Sequence, residues 1–166
     1  HAVEYLASMG HRRIGFIAGP EGFRSALERE AGFNEAAARL GLETGPHHWA
    51  RGNYTFETGY EAGVKLLDTD PRPSAIFSSN DEMAAGVLHA ARERGIAVPE
   101  ELSIIGFDDG PIAAHIWPPL TTVRWPMGDM ARAAALKLVD PANPGAESSF
   151  FLSDLIKRGS VGPFKA

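Results

Sequence analysis

The 166-residue chain contains no cysteine. That excludes a disulfide framework, a thiolate metal site and a cysteine nucleophile, and it suits a reducing cytoplasmic location. No apolar run approaches the roughly 20 residues of a membrane span, so no membrane partner is expected. Basic side chains are outnumbered: 16 Lys and Arg against 21 Asp and Glu leave a formal net charge of -5. Gripping nucleic acid rests on clustered Lys and Arg, so this segment is not expected to do it alone. The six histidines lack metal-ligand spacing, and no metal is expected. Gly15, Gly19 and Gly22 do not spell a dinucleotide fingerprint, and no cofactor is expected. Ser78-Ser79 lacks a nucleophile-elbow pattern. Asp108 and Asp109, as neighbours at a strand end, point to opposite faces, so one shared acid–base site is not expected. Nothing assembles into an enzyme. The sequence opens at His1 with neither a methionine nor a signal-like segment, as a piece of a longer protein would.

What is present alternates strands with helices. At 44% hydrophobic residues the chain can bury one ordinary globular core. Its organising stretch runs from Ala75 to Asp109. Ala75, Ile76 and Phe77 make a short apolar run suited to a buried strand. Ser79, with Glu82 three residues on, reads as a capping box. Asp81 and Glu82 open the helix, Arg92 and Arg94 close it, and Gly95 stops it, the order the helix dipole favours. Met83, Ala84, Val87, Leu88 and Ala91 form one apolar face. A second run, Leu102 to Phe107, ends in Asp108-Asp109. Two parallel strands joined by a helix bring both carboxyl ends to one rim, where ligands sit in open α/β sheets. Asn80 and Asp108 therefore reach the same rim by different routes. If Ser79 takes the cap, the Asn80 amide is free to face a ligand.

The rest of the chain fits the same scheme. His1–Met9 reads as a helix stopped by Gly10, and Arg13–Ala18 as a strand. A helix over about Arg24–Leu40 has Leu27, Ala31, Ala38 and Leu40 among its apolar positions and ends at Gly41. A weak strand lies near His48–Arg51. Thr55 caps a third helix whose face is Phe56, Gly59, Tyr60, Gly63 and Leu67. Repeated strand–helix units imply an α/β fold, a parallel sheet with helices on both faces. Beyond Asp109 come a loop or short helix, a strand over Leu120–Arg124, and a helix over Met127–Val139. Pro141–Glu147 is a turn, and Phe150–Leu152 and Leu155–Arg158 read as a closing pair of strands.

Four blocks in order, GHRRIGFIAGP at 10–20, AIFSSNDEMAAGVLHAARERG at 75–95, VPEELSIIGFDD at 98–109 and PPLTTVRWP at 118–126, resemble the lactose-repressor/galactose-repressor family of bacterial transcription regulators. LIKRGS at 155–160 extends the likeness over essentially the whole chain. The resemblance implies the C-terminal part of a two-lobed, periplasmic-binding-protein-like core. Residues 1–11 would lead in from a first lobe, 12–120 form the second lobe, 121–149 the crossover and a first-lobe helix, and 150–166 the return. The implied function is effector binding and dimerisation in a regulator or repressor. The effector is a small molecule, a sugar by expectation, and a homodimer contacts operator DNA through a headpiece that this sequence lacks. The alternative is a periplasmic-type sugar-binding protein of a transport system.

Matching residue by residue, the family pattern marks five effector-binding candidates. Asp108 resembles the acidic residue that accepts hydroxyl hydrogen bonds; it could instead cap the strand end. Asn80 matches the asparagine of the Ser/Ala-Asn-Asp block, or could itself be the helix cap. Arg29, three residues before Gly32-Phe33, matches a ligand-binding arginine, or could pair with Glu28 or Glu30 on a solvated face. Tyr54 matches an aromatic that stacks on the ligand, or could cover the core edge. Trp125 stands where many relatives have glutamine, a departure that would let an indole stack on a sugar or fill the cleft.

Overall fold

The computed structural model describes residues 1–139 and 151–165. Strands β1 (Ile14–Ala18), β2 (Trp49–Arg51), β3 (Ala75–Ser78), β4 (Ser103–Phe107), β5 (Thr121–Arg124) and β6 (Asp154–Ile156) form one sheet in the order β2-β1-β3-β4-β5-β6. All neighbours are parallel except β5 and β6, which are antiparallel. Helices α1 (Ala2–Ser8), α2 (Arg24–Leu40), α3 (Phe56–Leu67), α4 (Asp81–Glu93), α5 (Pro111–His115) and α6 (Met127–Val139), with a short 3-10 turn at Pro46–His48, join and cover the strands. The expected α/β architecture is thus present.

The central strands are buried on both faces, which is why they read as apolar runs rather than alternations. Their side chains nevertheless divide by the period of two. Ile17, Ile76 and Ile104 meet Leu66, Met83 and Val87 of α3 and α4. Phe16, Phe77 and Ile105 meet Leu6 and Phe33 of α1 and α2. Phe33 stacks on Phe16 at 4.5 Å between ring centroids and anchors α2. That anchor sets the buried face of α2 as Ala26, Phe33, Ala36 and Ala37. Of the apolar positions assigned to it from the sequence, Leu27, Ala31 and Ala38 are exposed and Leu40 is half-buried, because the Phe33 anchor turns the face of Ala26, Ala36 and Ala37 to the sheet.

The order of strands reverses between β1 and β3, and their carboxyl ends open a crevice there. The cap of α4 also differs from expectation. The helix begins at Asp81, so the extended residue before it is Asn80, and its Oδ1 accepts from Met83 N–H at 3.0 Å. Ser79 lies one residue too early for that geometry, and its hydroxyl is buried without a partner among the described residues. At the chain's end one strand, β6, replaces the expected pair. Phe151 and Leu152 are not in a strand, and Phe150 and the turn at 141–147 lie outside the described residues. The apolar stripe expected on α6 is real in composition, but no residue of that helix is buried.

Candidate functional site

The crevice collects side chains from four loops and one helix. Arg29 projects from α2, and its side chain is 11% exposed. Its guanidinium lies 3.9 Å from the ring centre of Phe107, 5.3 Å from that of Trp125 and 5.8 Å from that of Tyr54. One Nη1–H donates to the Tyr54 hydroxyl at 3.2 Å, and Nη2 stands 3.7 Å from Asp108 Oδ1. Glu28 and Glu30, the expected helix partners, are turned to Arg24 and Arg51 instead. A largely buried cation held by aromatic faces is stabilised by their quadrupoles. Among the described residues it spends one hydrogen bond of the five a guanidinium can donate. The rest are available to oxygen atoms of a ligand.

Asp108 follows β4 and takes the Trp125 indole N–H at 3.1 Å. Burial raises its pKa above the ordinary carboxylate value, against the opposing pull of the indole hydrogen bond and of Arg29. Its φ of 113° and the φ of 70° at Tyr54 are rare for residues with a Cβ. Backbone held in such conformations concentrates at functional sites. Tyr54 is seated over Gly19, where a Cβ would lie 2.4 Å from the ring, so this glycine makes room for the phenol. Phe23 meets the same ring edge-on at 6.3 Å. Asn80 is buried, with both ends of its amide used: Oδ1 caps α4 and Nδ2 donates to the Tyr54 carbonyl at 3.0 Å. It therefore holds the Tyr54 loop here rather than presenting a free amide.

The five candidates thus fall into one connected cluster, Asn80 to Tyr54 to Arg29 to Asp108 to Trp125. They do not share one hollow. A cavity of about 450 Å³ between α1, α2 and the sheet is lined by Arg29 and Trp125 together with Ser25, Glu28, Phe107 and Val123, while Tyr54, Asn80 and Asp108 lie outside its lining.

Residues 3–161 match the family model described as a periplasmic binding protein-like domain. The chain belongs to that family. The HTH-type transcriptional repressor CytR of Escherichia coli is 43% identical over 163 residues, 96% of this chain and 48% of the repressor. The crystal structure of a sugar-binding transcriptional regulator of the LacI family from Escherichia coli, complexed with phosphate, superposes with a TM-score of 0.89 at 36% identity, covering 98% of this chain and 59% of that one. The lac repressor dimer bound to operator and the anti-inducer ONPF gives a TM-score of 0.89 at 27% identity over 97% of this chain and 56% of that chain. The chain spans about half the length of the curated relatives it matches. The resemblance carried by the sequence blocks is borne out.

Within this periplasmic-binding-protein-like domain the structure places further side chains beside the candidate cluster. Phe107, directly before Asp108, supplies the ring under Arg29. Its position at the end of an apolar strand, on the face opposite Gly106, is the available signal. Asp109, expected to face away from Asp108, has partners of its own. It accepts from Arg158 at 2.5 Å and from Arg124 at 2.6 Å. Burial alone would raise its pKa, but those two hydrogen bonds outweigh it and hold the carboxyl below its ordinary range. Asp81, expected as a first-turn helix charge, is 2% exposed.

Proposed function

We propose that this chain is the effector-binding and dimerisation part of a bacterial transcription regulator, and that its effector is a sugar. The observation that carries the reading is the Arg29 guanidinium, buried among three rings with most of its donors unspent and an acceptor carboxylate, Asp108, beside it. Paired donors and acceptors suit vicinal hydroxyls, and the rings of Trp125 and Phe107 suit the C–H faces of a pyranose. The sugar-binding and operator-bound relatives support this reading. The residues named here line one wall. The opposite wall, with the DNA-binding headpiece, would lie in the part of the relatives that this chain does not span. Helix α6, whose apolar residues are exposed, would then belong to that other lobe. Ligand closing the two walls would shift the headpieces by its differential affinity for the two lobe arrangements. A regulator of this kind works in the cytoplasm.

Dimerisation has its own candidate surface. Outside α4 and α5, Leu88, Ile96, Ile112 and Ile116 border a hollow of about 560 Å³, and Trp117 beside it is 88% exposed. An exposed tryptophan beside an apolar hollow is a surface that a partner would cover. A second copy placed by a two-fold axis would cover it, and the operator-bound relative is a dimer.

Heteronuclear NMR titration of the chain with neutral mono- and disaccharides tests the effector reading. Millimolar binding is expected from a single wall, with shifts centred on the Trp125 indole and the Arg29 guanidinium. A panel that leaves both signals unmoved would overturn it; micromolar binding by this chain alone would overturn the single-wall account and leave the effector reading standing.

A further inference from the structure

We infer that Asp81 is a positioning residue for the effector wall, a clamp that fixes the three segments carrying Asn80, Asp108 and Trp125 relative to one another. The inference rests on the effector reading of that wall. Asp81 opens α4 directly after Asn80. Its Oδ1 accepts the Thr122 hydroxyl at 2.5 Å, and its Oδ2 accepts Gly110 N–H at 2.8 Å. Thr122 stands on β5 three residues before Trp125, and Gly110 closes the loop two residues after Asp108. One carboxylate thus ties an end of each of the three chain segments, from behind the face that carries the cluster.

Two further observations show that the fold is arranged around this group. A Cβ at Gly106 would lie 2.2 Å from Asp81 Oδ1, so β4 carries a glycine where the carboxylate passes it. Burial of the carboxylate is also unfavourable in itself. It pushes the pKa up to about 6, with the hydrogen bonds from Thr122 and Gly110 opposing and the nearby charges of Asp108 and Asp109 reinforcing the rise. An apolar residue would fill the position without that cost. What an apolar residue would not supply is two directed acceptors joining three segments. Asp109 repeats the device one layer outward, holding Arg124, next to Trp125, and Arg158 after β6.

The readout is the indole N–H resonance of Trp125 in the ¹⁵N-labelled chain without ligand, identified by its loss in Trp125→Phe. In Asp81→Ala the segments are released, and the resonance is expected to leave its hydrogen-bonded position for that of a solvated indole. In Thr122→Val, which keeps shape and removes one arm, it should move part of the way. Asp81→Asn should restore it: the amide accepts from Gly110 N–H and donates to the Thr122 oxygen, so both arms survive. The indoles of Trp49 and Trp117 should stay in place in all three variants. If Asp81→Ala does not fold, Thr122→Val and Asp81→Asn decide. A Trp125 resonance unmoved in Thr122→Val, or moved in Asp81→Asn as far as in the variants that lose an arm, would overturn the clamp. No sugar is added, so failure of the saccharide panel alone would remove the effector reading and leave the clamp standing.

Discussion

The indole N–H of Trp125 donates to Asp108 Oδ1 at 3.1 Å, joining the residue after β5 to the residue after β4. The bond favours the ionised carboxylate, as does Arg29, while burial favours the protonated one and prevails. Trp125→Phe removes the donor and keeps a ring. The pKa of Asp108 should therefore rise further above its ordinary value, and Arg29→Gln should move it in the same direction. A ¹³C-carboxyl titration by NMR checks both. A fall in either variant would show that the indole or guanidinium does not act on the charged form.

Helices α3 and α4 pack closely, and that packing rests on glycine. A Cβ at Gly86 would lie 2.3 Å from the Phe56 carbonyl oxygen and 2.4 Å from Tyr60 N; one at Gly59 would lie 2.3 Å from the backbone of Met83. Backbone on both sides leaves no flexible side chain to yield. Gly86→Ala and Gly59→Ala should each destabilise by about 3 kcal/mol or more, at the upper end for overpacking. Gly32, exposed in α2 with nothing within 4 Å of its added Cβ, is the contrast. There alanine should stabilise by roughly 0.5–1 kcal/mol through helix propensity. Urea midpoints of the three variants measure the difference.

The legibility of this chain in its sequence follows the same division between local and non-local causes. Periodicity and punctuation locate the helix at Arg24–Leu40 to the residue and every strand of the parallel sheet, because runs such as Ile14–Ala18 and Gly41 after Leu40 carry their cause locally. What is not legible depends on contacts between distant segments. The buried face of α2 differs from expectation because it is chosen by the stacking of Phe33 on Phe16. Asn80 displaces Ser79 as the cap because the helix start is fixed by Asp81, which answers to Thr122, 41 residues on. The cluster of five candidate residues comes from matching family motifs. Arg29 by itself reads better as a solvated helix charge. What sets it apart, the Phe107 ring 3.9 Å away, emerges once β4 is placed beside it.

Association should depend on Trp117. A largely exposed tryptophan at the edge of an apolar hollow is the kind of side chain that dominates interface energetics. Trp117→Glu should weaken self-association by about 2–4 kcal/mol, roughly 30- to 1000-fold in Kd, measured by sedimentation equilibrium. Helix α6 offers the competing surface, with Leu138 84% and Met127 64% exposed. Leu138→Glu should leave self-association unchanged. Dissociation by Leu138→Glu with Trp117→Glu silent would transfer the interface to α6.

The pH dependence of stability should carry the signature of Asp81. Its folded-state pKa of about 6 stands above the ordinary value of 3.8. Between those values the unfolded chain has released this proton and the folded chain still holds it. Fewer protons bound in the unfolded state means that stability falls as pH rises through the window, then levels off above the folded pKa. Each tenfold difference in proton affinity between the two states is worth about 1.4 kcal/mol, which sets a ceiling of about 3 kcal/mol on the loss. Asp81→Asn has no such proton. The stability of the wild type relative to Asp81→Asn should therefore decline by up to that amount between about pH 4 and about pH 6.5. Taking the difference largely cancels the separate contributions of Asp108, Asp109 and His11. His11 and Asp109 work in the opposite sense: burial lowers the histidine pKa and two arginines lower that of the carboxyl, so each loses stability as pH falls below its unfolded value. Urea unfolding across this range decides the matter. A flat difference, or one that rises with pH, would mean that the folded chain holds Asp81 ionised at acid pH, with its two hydrogen bonds outweighing its burial.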